Sequence, residues 1–161
     1  MLGQLRRIVQ DVAQEPVLQN ALAGLVTSVK QALATECCSV YLADYEQQQF
    51  MLMATDGLNP DAAGKIAIGF SEGLIGWVGQ REEPINLAKA HLHPRFKVTP
   101  EVSEDRFSAF LGCPIIHHRK VLGVLTIQQA EDRVFNEDEE SFLVTLAAQL
   151  ASVLANAEMR Q

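Results

Sequence analysis

A hairpin of two almost wholly apolar strands constrains this chain more than any other feature. Residues 106–116 and 121–129 are the two apolar runs, and a short polar tip, His-His-Arg-Lys, separates them. This pattern predicts two antiparallel strands joined by a tight turn. Because both faces of each strand are apolar, we expect the hairpin to lie centrally in a sheet that is covered on both sides. Pro114 has no N–H to donate, so the first strand should be unpaired or bulged there. Gly112 and Gly123 should leave room for a neighbouring backbone or a ligand.

Length and charge set the broad class. The 161 residues are enough for one domain with its own core, so we expect a single domain over 1–161. The formal charge is −7 and there is no basic cluster, which argues against nucleic acid or an anionic membrane surface as a partner. The start of the chain has no secretory signal pattern. We therefore predict a soluble, cytoplasmic protein.

One uncharged stretch, residues 141–157, has the composition of a membrane span. It is shorter than the ~20 residues that a bilayer requires. Its polar residues also recur at helical spacing and form one stripe, which predicts an amphipathic helix of a soluble domain. The stripe consists of Ser141, Thr145, Gln149, Ser152 and Asn156.

The three cysteines do not form a recognisable framework. Cys37 and Cys38 are adjacent, and Cys113 lies far away in the central hairpin. No histidine stands at metal-ligand spacing from them, so we predict no metal site. Reduced thiols buried in the core are the expected state.

Periodicity predicts the remaining elements. Two helices should precede the first strand, the second opened by Pro16. Further strands are expected at 38–43, 50–54, 65–68 and 84–87, with a short helix after residue 69 that Ser71 caps. Asn136 and Glu139 form a capping box for the last helix. A narrow seam on the first helix, formed by Leu2, Leu5, Val9 and Val12, makes it the expected partner of the last helix, within the chain or across a dimer.

Two segments suggest function. Residues 88–105, which include Pro100, are a long polar connection, and such connections inside a compact domain are more often functional than decorative. The last helix has no Gly or Pro to end it before Gln161, so we expect it to continue into a further domain of a longer protein.

The order of elements and three motifs resemble a GAF domain over the whole chain. The motifs are Leu-Gly-x-Pro-Ile at 111–115, Gly-Val-Leu at 123–125 and Phe-Asn-x-Asp-Glu at 135–139. The resemblance implies an α+β fold with a central antiparallel sheet. The N- and C-terminal helices should cover one face, and a short helix plus the long loop should cover the other.

Seven separated segments resemble a narrower family, the N-terminal GAF domains of nitrogen-branch phosphoenolpyruvate-protein phosphotransferases. They are 38–44, 53–58, 72–79, 83–88, 93–96, 106–112 and 139–147. This resemblance implies a domain that senses nitrogen status, with glutamine or 2-oxoglutarate as effector, and regulates autophosphorylation of a following module. Mg²⁺ and phosphoenolpyruvate would bind only to that module, which passes its phosphoryl group to the phosphocarrier protein NPr. The present chain should therefore bind no cofactor and catalyse nothing.

A carboxylate effector needs a cation, and Arg pairs with carboxylates bidentately. Arg95 and Arg106 are the candidates, although each is equally well explained as a solvated surface residue. Asn86 could recognise an amide through its donor and acceptor, or stabilise a turn. His93 could orient the effector or cap the loop. Apolar walls are expected from Ile75, Trp77, Phe96 and Phe107, with core packing the better explanation for Phe107.

Three other functions stay open. Some GAF proteins of similar length reduce free methionine sulfoxide through cysteines, although the cysteines here are arranged differently. Cyclic-nucleotide binding is recognised by a longer motif of which only Phe135, Glu139 and Glu140 are present. A structural dimerisation module would be distinguished by the absence of an enclosed cavity near residues 86–107.

Overall fold

The computed structural model describes residues 2–97 and 106–159, and the side chains of 2–97 and 106–157. Residues 98–105 of the predicted functional loop, with Pro100, and the expected continuation of the last helix through Gln161 lie outside these ranges. The helices are α1 (Leu2–Gln14), α2 (Leu18–Leu33), α3 (Gly73–Arg81) and α4 (Glu137–Met159). The strands are β1 (Cys37–Asp44), β2 (Gln49–Asp56), β3 (Ala67–Gly69), β4 (Ile85–Leu87), β5 (Ala109–His117) and β6 (Lys120–Gln129). Single 3₁₀ turns occur at Pro60–Ala62 and Ala90–Leu92.

The six strands form one antiparallel sheet in the order β3-β2-β1-β6-β5-β4. The predicted central position of the β5–β6 hairpin is confirmed, since both strands have neighbours on each side. Pairing with β4 ends at Gly112, two residues before Pro114, and a bulge follows between Ile115 and Ile116. A Cβ on Gly123 would lie 2.1 Å from the carbonyl oxygen of Tyr41, so this glycine admits the backbone of β1.

Each face of the sheet is covered, as expected from the resemblance to a GAF domain. On the first face α1, α2 and α4 pack over a core that includes Leu22, Leu25, Leu143 and Leu146. On the second face α3 and the segments around the short strands cover an aromatic core that includes Tyr41, Phe50, Phe107 and Phe110. The second face is where a cavity is expected, because only short elements cover it.

The closing helix packs as its pattern predicts. All five residues of the predicted polar stripe are exposed, while Leu143, Leu146 and Leu150 are fully buried. Residues 137–157 are long and apolar enough to cross a membrane by length and composition alone, a property that the core helix of a soluble domain shares. On α1 the buried residues are Leu5, Ile8 and Val12. The predicted seam was wrong in part, since Leu2 is 69% exposed.

The two predicted caps have different outcomes. The capping box of α4 is confirmed: Asn136 N donates to Glu139 Oε1 at 2.8 Å, and Glu139 N donates to Asn136 Oδ1 at 2.9 Å. Ser71 as the cap of α3 is wrong, because the N-cap is Glu72 and it makes no side-chain capping bond. Its carboxylate instead accepts from Gly69 N at 3.1 Å and pairs with Lys97.

Candidate functional site

A small cavity lies between α3 and the second face of the sheet. Its volume is about 20 Å³, and its walls include Ile75, Ala90, Phe96, Lys97 and Gln128. This volume holds about one water molecule. The residues that the structure describes therefore enclose a cavity near 86–97, but an amino acid would fit only after part of its wall moved.

One buried polar residue, Gln128, lines this cavity. Ser39, Thr126 and Gln128 are three of the four buried polar residues among those described, and all three lie on the second face of the central strands. Gln128 is 3% exposed and its Oε1 accepts from Cys37 Sγ at 3.7 Å. Among the described residues the one fully buried side-chain N or O atom without a hydrogen-bond partner is Thr35 Oγ1, so Gln128 is not a sealed, unsatisfied donor. Gln128 does line the cavity, and its amide is therefore a candidate for contact with a ligand.

Four of the predicted site residues lie together, and one of them, Phe96, lines the cavity. The rings of Trp77 and His93 are 4.4 Å apart, and His93 Nδ1 accepts from the backbone N of Arg95 at 3.0 Å. The Arg95 guanidinium donates to the carbonyl of Ser71 at 3.1 Å, and Phe96 packs against the aromatic core. This cluster, Trp77, His93, Arg95 and Phe96, is called the loop cluster below.

Two further candidates are core residues. Ile75 is 2% exposed and lines the cavity, and Phe107 is 3% exposed in the aromatic core. Arg106 lies over the Phe107 ring, with 4.8 Å between its guanidinium carbon and the ring centroid, and donates to the carbonyl of Gly57. Arg106 is therefore held beside Phe107, and neither of the two lines the cavity.

Asn86 is separated from the other candidates. Its partner across the strands, Leu111, belongs to the core of the first face. The Asn86 amide donates to the carbonyl of Phe135 at 2.8 Å and to Glu140 Oε1 at 3.2 Å, and its Oδ1 accepts from Phe135 N at 3.0 Å. The side chain thus fastens β4 to the segment that leads into α4.

Arg95, Arg106 and Lys97 differ in the partners that their positive charges have. Arg95 and Arg106 donate to carbonyl and amide oxygens, and neither has a carboxylate partner among the described side chains. Lys97 pairs with Glu72, and this bond lowers the pKa of the Glu72 carboxyl. A carboxylate ligand would therefore find Arg95 and Arg106 less committed than Lys97.

All three cysteines are buried thiols, as predicted. Cys37 belongs to the core of the second face, whereas Cys38 and Cys113 belong to that of the first. Burial raises the pKa of the Cys38 thiol well above its ordinary value and that of Cys113 to about 12. Within the described residues no three His, Cys, Asp or Glu side chains converge as metal ligands.

The sequence pattern alone did not single out the three buried polar residues on the second face of the sheet. Ser39, Thr126 and Gln128 alternate with apolar residues in strands that are otherwise apolar. A polar residue at every second position of a buried strand predicts a polar strip on one face. That pattern could have identified them.

The comparison with known proteins agrees with the observed fold. The family model described as "GAF domain" matches residues 17–154. A Salmonella typhimurium protein named "Phosphoenolpyruvate-dependent phosphotransferase system" is 52% identical over 99% of this chain. The chain spans only 21% of that protein's length.

Solved structures agree with these matches. The GAF domain from a phosphoenolpyruvate-protein phosphotransferase of Coxiella burnetii superposes with a TM-score of 0.93 at 47% identity, covering 99% of this chain and 95% of that one. A free methionine-R-sulfoxide reductase from Neisseria meningitidis superposes with a TM-score of 0.82 at 20% identity, covering 98% and 89%. The second likeness concerns the fold alone.

Proposed function

This chain belongs to the GAF domain family, and we propose that it is the N-terminal regulatory domain of a phosphoenolpyruvate-protein phosphotransferase of the nitrogen phosphotransferase system. The support is its 52% identity, over 99% of its length, to a protein of a phosphoenolpyruvate-dependent phosphotransferase system. In this proposal the domain works in the cytoplasm and catalyses nothing itself. It binds an effector of the glutamine or 2-oxoglutarate class and modulates autophosphorylation of the following module by phosphoenolpyruvate. That module alone binds Mg²⁺, and it passes the phosphoryl group to NPr.

The observation that carries effector binding is the side-chain amide of Gln128, a buried polar residue in the wall of the cavity. Its Oε1 accepts from Cys37 Sγ, and its amide nitrogen is the donor that a ligand oxygen in the cavity would use. Glutamine offers an amide oxygen and 2-oxoglutarate offers a keto or carboxylate oxygen, so both effectors can satisfy Gln128.

Two arginines offer the positive charge that either effector needs. Both effectors carry a carboxylate, which a guanidinium binds with two parallel hydrogen bonds. Arg95 and Arg106 have no carboxylate partner among the described residues, so a ligand would not have to compete with an existing ion pair. Arg95 is the stronger candidate because it directly precedes Phe96, a residue of the cavity wall.

A cavity of about 20 Å³ corresponds to the effector-free form. Binding then displaces Phe96 and Lys97 from its wall. The Lys97–Glu72 pair is exposed to solvent, and such pairs contribute little to stability, so opening this part of the wall is not costly.

The path to the output helix runs through β4. The displaced residues Phe96 and Lys97 follow the end of β4 by nine and ten residues. Asn86 on β4 holds the segment before α4 through Phe135 and Glu140. An effector can change the helix only through unequal affinity for two of its arrangements. We therefore assign the Asn86 bonds as the connection between effector site and α4.

The exposed face of α4 suits a homodimer through the terminal helices. It presents no charge from residue 141 to 157, and its exposed residues include Val144, Thr145, Ala148 and Gln149. Two such faces can approach without desolvating ionised groups. A dimer of this kind would join the α4 helices that carry the response.

Isothermal titration with glutamine and with 2-oxoglutarate tests the proposal. We expect saturable heat from one of them, weakened about tenfold or more by Gln128→Leu and by Arg95→Gln. Arg6→Gln is the matched control, because Arg6 is an exposed arginine on α1 and lies away from the cavity and the loop cluster. If neither compound binds while the full-length phosphotransferase responds to them, the assignment of this domain as their sensor is wrong.

The sulfoxide reductase alternative has no support from the thiols. A thiolate is the required nucleophile, and burial raises the pKa of Cys38 and Cys113. Reduction of free methionine sulfoxide by the wild-type chain, lost in Cys113→Ala, would favour that alternative instead.

A further inference from the structure

A second, larger cleft lies outside the cavity described above, at the opposite end of α3. Its volume is about 370 Å³, and it is bounded by the turn after β1, the end of α3 and the start of β6. We infer that this cleft binds a small zwitterion with an apolar body, the chemical class of free apolar or aromatic α-amino acids. The inference does not depend on the proposed function, because none of the residues around this cleft lines the small cavity.

The floor of the cleft is aromatic. The Phe70 ring lies 4.9 Å from that of Phe50 and 5.1 Å from that of Tyr45, measured between centroids. The Tyr45 hydroxyl donates to the carbonyl of Val121 at 2.6 Å, which fixes its ring. A Cβ on Gly79 would lie 2.7 Å from Phe50 Cζ, so α3 contacts this floor with bare backbone and leaves the space beside it unfilled. Small-molecule sites commonly combine such an apolar floor with a few polar groups.

Opposite charges stand at the rim without pairing to each other. Glu82 ends α3 and Arg119 lies in the β5–β6 turn, and neither forms an ion pair within the described chain. By contrast, Arg81 and Glu83, which flank Glu82, pair with each other at 2.7 Å. Glu82 lines the cleft together with the aromatic residues of its floor. Burial, and after it the charge of Glu82, raises the pKa of the Tyr45 hydroxyl. An ammonium at Glu82 and a carboxylate at Arg119 would satisfy both ends of the cleft.

Lys120 adds a second cation on the carboxylate side. Its ammonium lies 4.6 Å from the centroid of the Tyr45 ring, which holds it over the floor. A simple anion would be repelled by Glu82, and an uncharged apolar molecule would leave the rim charges without a partner. The zwitterion with an apolar side chain is the class that matches floor and rim together.

The cleft also touches the loop cluster. Gln80 lines it, and Gln80 Oε1 accepts from the Arg95 guanidinium at 3.0 Å. A ligand that moved Gln80 would therefore disturb the hydrogen bond that Arg95 donates to it.

L-phenylalanine is the probe for the first experiment, an NMR titration of the 161-residue chain. We expect saturable shifts at residues 79–82 and 119–121. Affinity should be about tenfold weaker for 3-phenylpropionate, which lacks the ammonium, and for phenethylamine, which lacks the carboxylate. Equal affinity for the three compounds, shifts confined to other residues, or no saturable shift up to about 10 mM would overturn the inference.

Matched variants separate the two rim charges. Glu82→Gln should remove the preference over 3-phenylpropionate, and Arg119→Gln should remove the preference over phenethylamine. Both positions have positive φ, 54° and 67°, which Gln adopts elsewhere in this chain at Gln48 (φ 52°). Glu83→Gln is the control and should leave phenylalanine binding unchanged, as should Gln128→Leu. If Glu83→Gln weakens binding as much as Glu82→Gln, the assigned site is wrong; loss of binding in Gln128→Leu would place phenylalanine in the other cavity.

Discussion

The side chain of Asn86 and the backbone of Phe135 are joined by two hydrogen bonds, from Nδ2 to the carbonyl at 2.8 Å and from the Phe135 N–H to Oδ1 at 3.0 Å. A residue of a neighbouring β-strand would make the same pair of hydrogen bonds with the backbone of Phe135. β4 has only three residues, so these side-chain bonds are a large part of what holds it against α4. The edge of the sheet and the start of the closing helix therefore move as one body.

Asn86→Ala should lower the free energy of unfolding by about 1–3 kcal/mol, because it leaves buried backbone groups of Phe135 without partners. Urea unfolding followed by circular dichroism measures this. Gln149→Ala, on the exposed face of α4, should change stability by no more than about 0.5 kcal/mol. Equal effects of the two substitutions would mean that the Asn86 bonds contribute nothing.

The stability of the chain should fall in acid partly through Glu139. The hydrogen bond from Arg133, and then that from Asn136 N, hold the pKa of Glu139 below its ordinary 4.5. Because the unfolded chain takes up this proton first, the stabilisation is complete above about pH 4.5 and is lost as the pH falls through the folded pKa. Glu139→Gln should cost up to about 1 kcal/mol at neutral pH and progressively less in acid. Unfolding at a series of pH values measures this; a cost independent of pH, or an equal effect of Glu137→Gln, would contradict it.

Two helical glycines should respond oppositely to alanine. A Cβ on Gly76 would lie 2.7 Å from the carbonyl oxygen of Phe70, whereas one on Gly24 would meet nothing within 4 Å. Gly76→Ala should therefore destabilise the chain by about 1–3 kcal/mol. Gly24→Ala should stabilise it by about 0.5–1 kcal/mol through helix propensity. Thermal unfolding of both variants measures the difference, and a stabilising Gly76→Ala would show that α3 is not seated as described.

The thiols should be unreactive towards labelling reagents in the folded chain. Burial raises the pKa of Cys113 to about 12 and that of Cys38 above its ordinary value, so few thiolates exist near pH 8. An aromatic disulfide reagent should label all three cysteines only after denaturant is added. Rapid labelling of any cysteine in the native chain would contradict the burial.

A charge on the exposed face of α4 should oppose self-association. Ala148→Arg introduces one beside Thr145 and Gln149, and should weaken the proposed dimer by about tenfold or more. Sedimentation velocity at several concentrations measures the change. Gln47→Arg in the exposed β1–β2 turn is the matched control, because it adds the same charge away from the terminal helices. A wild-type chain that stays monomeric at high concentration would remove the dimer from the proposal.

Local features were the ones that could be predicted from the sequence. The capping box at Asn136 and Glu139 depends on residues three apart, and the central hairpin depends on the period of two strands and a short tip. Such patterns determine the local structure without information about tertiary packing. Pro114 also behaved as expected, because the missing N–H constrains pairing in any sheet.

Features that depend on tertiary packing could not be predicted in this way. Asn86 lies at a strand end in sequence, but which face it takes depends on its register with Leu111. Ser71 has the right chemistry for a cap, yet Glu72 takes the N-cap position and turns its carboxylate to Gly69 and Lys97. Gln128 gained significance only once α3 was seen to leave a cavity above it.

The sheet ends on both sides in strands of only three residues, β3 and β4. An edge strand offers its unpaired N–H and C=O groups to any extended chain that can align with it, and the number of such groups scales with its length. β4 pairs with only residues 110–112 of β5, so the rest of β5 also belongs to that edge, where Pro114 has no N–H to offer. The short edge strands and this proline leave a neighbouring molecule fewer groups to pair with beside the apolar sheet.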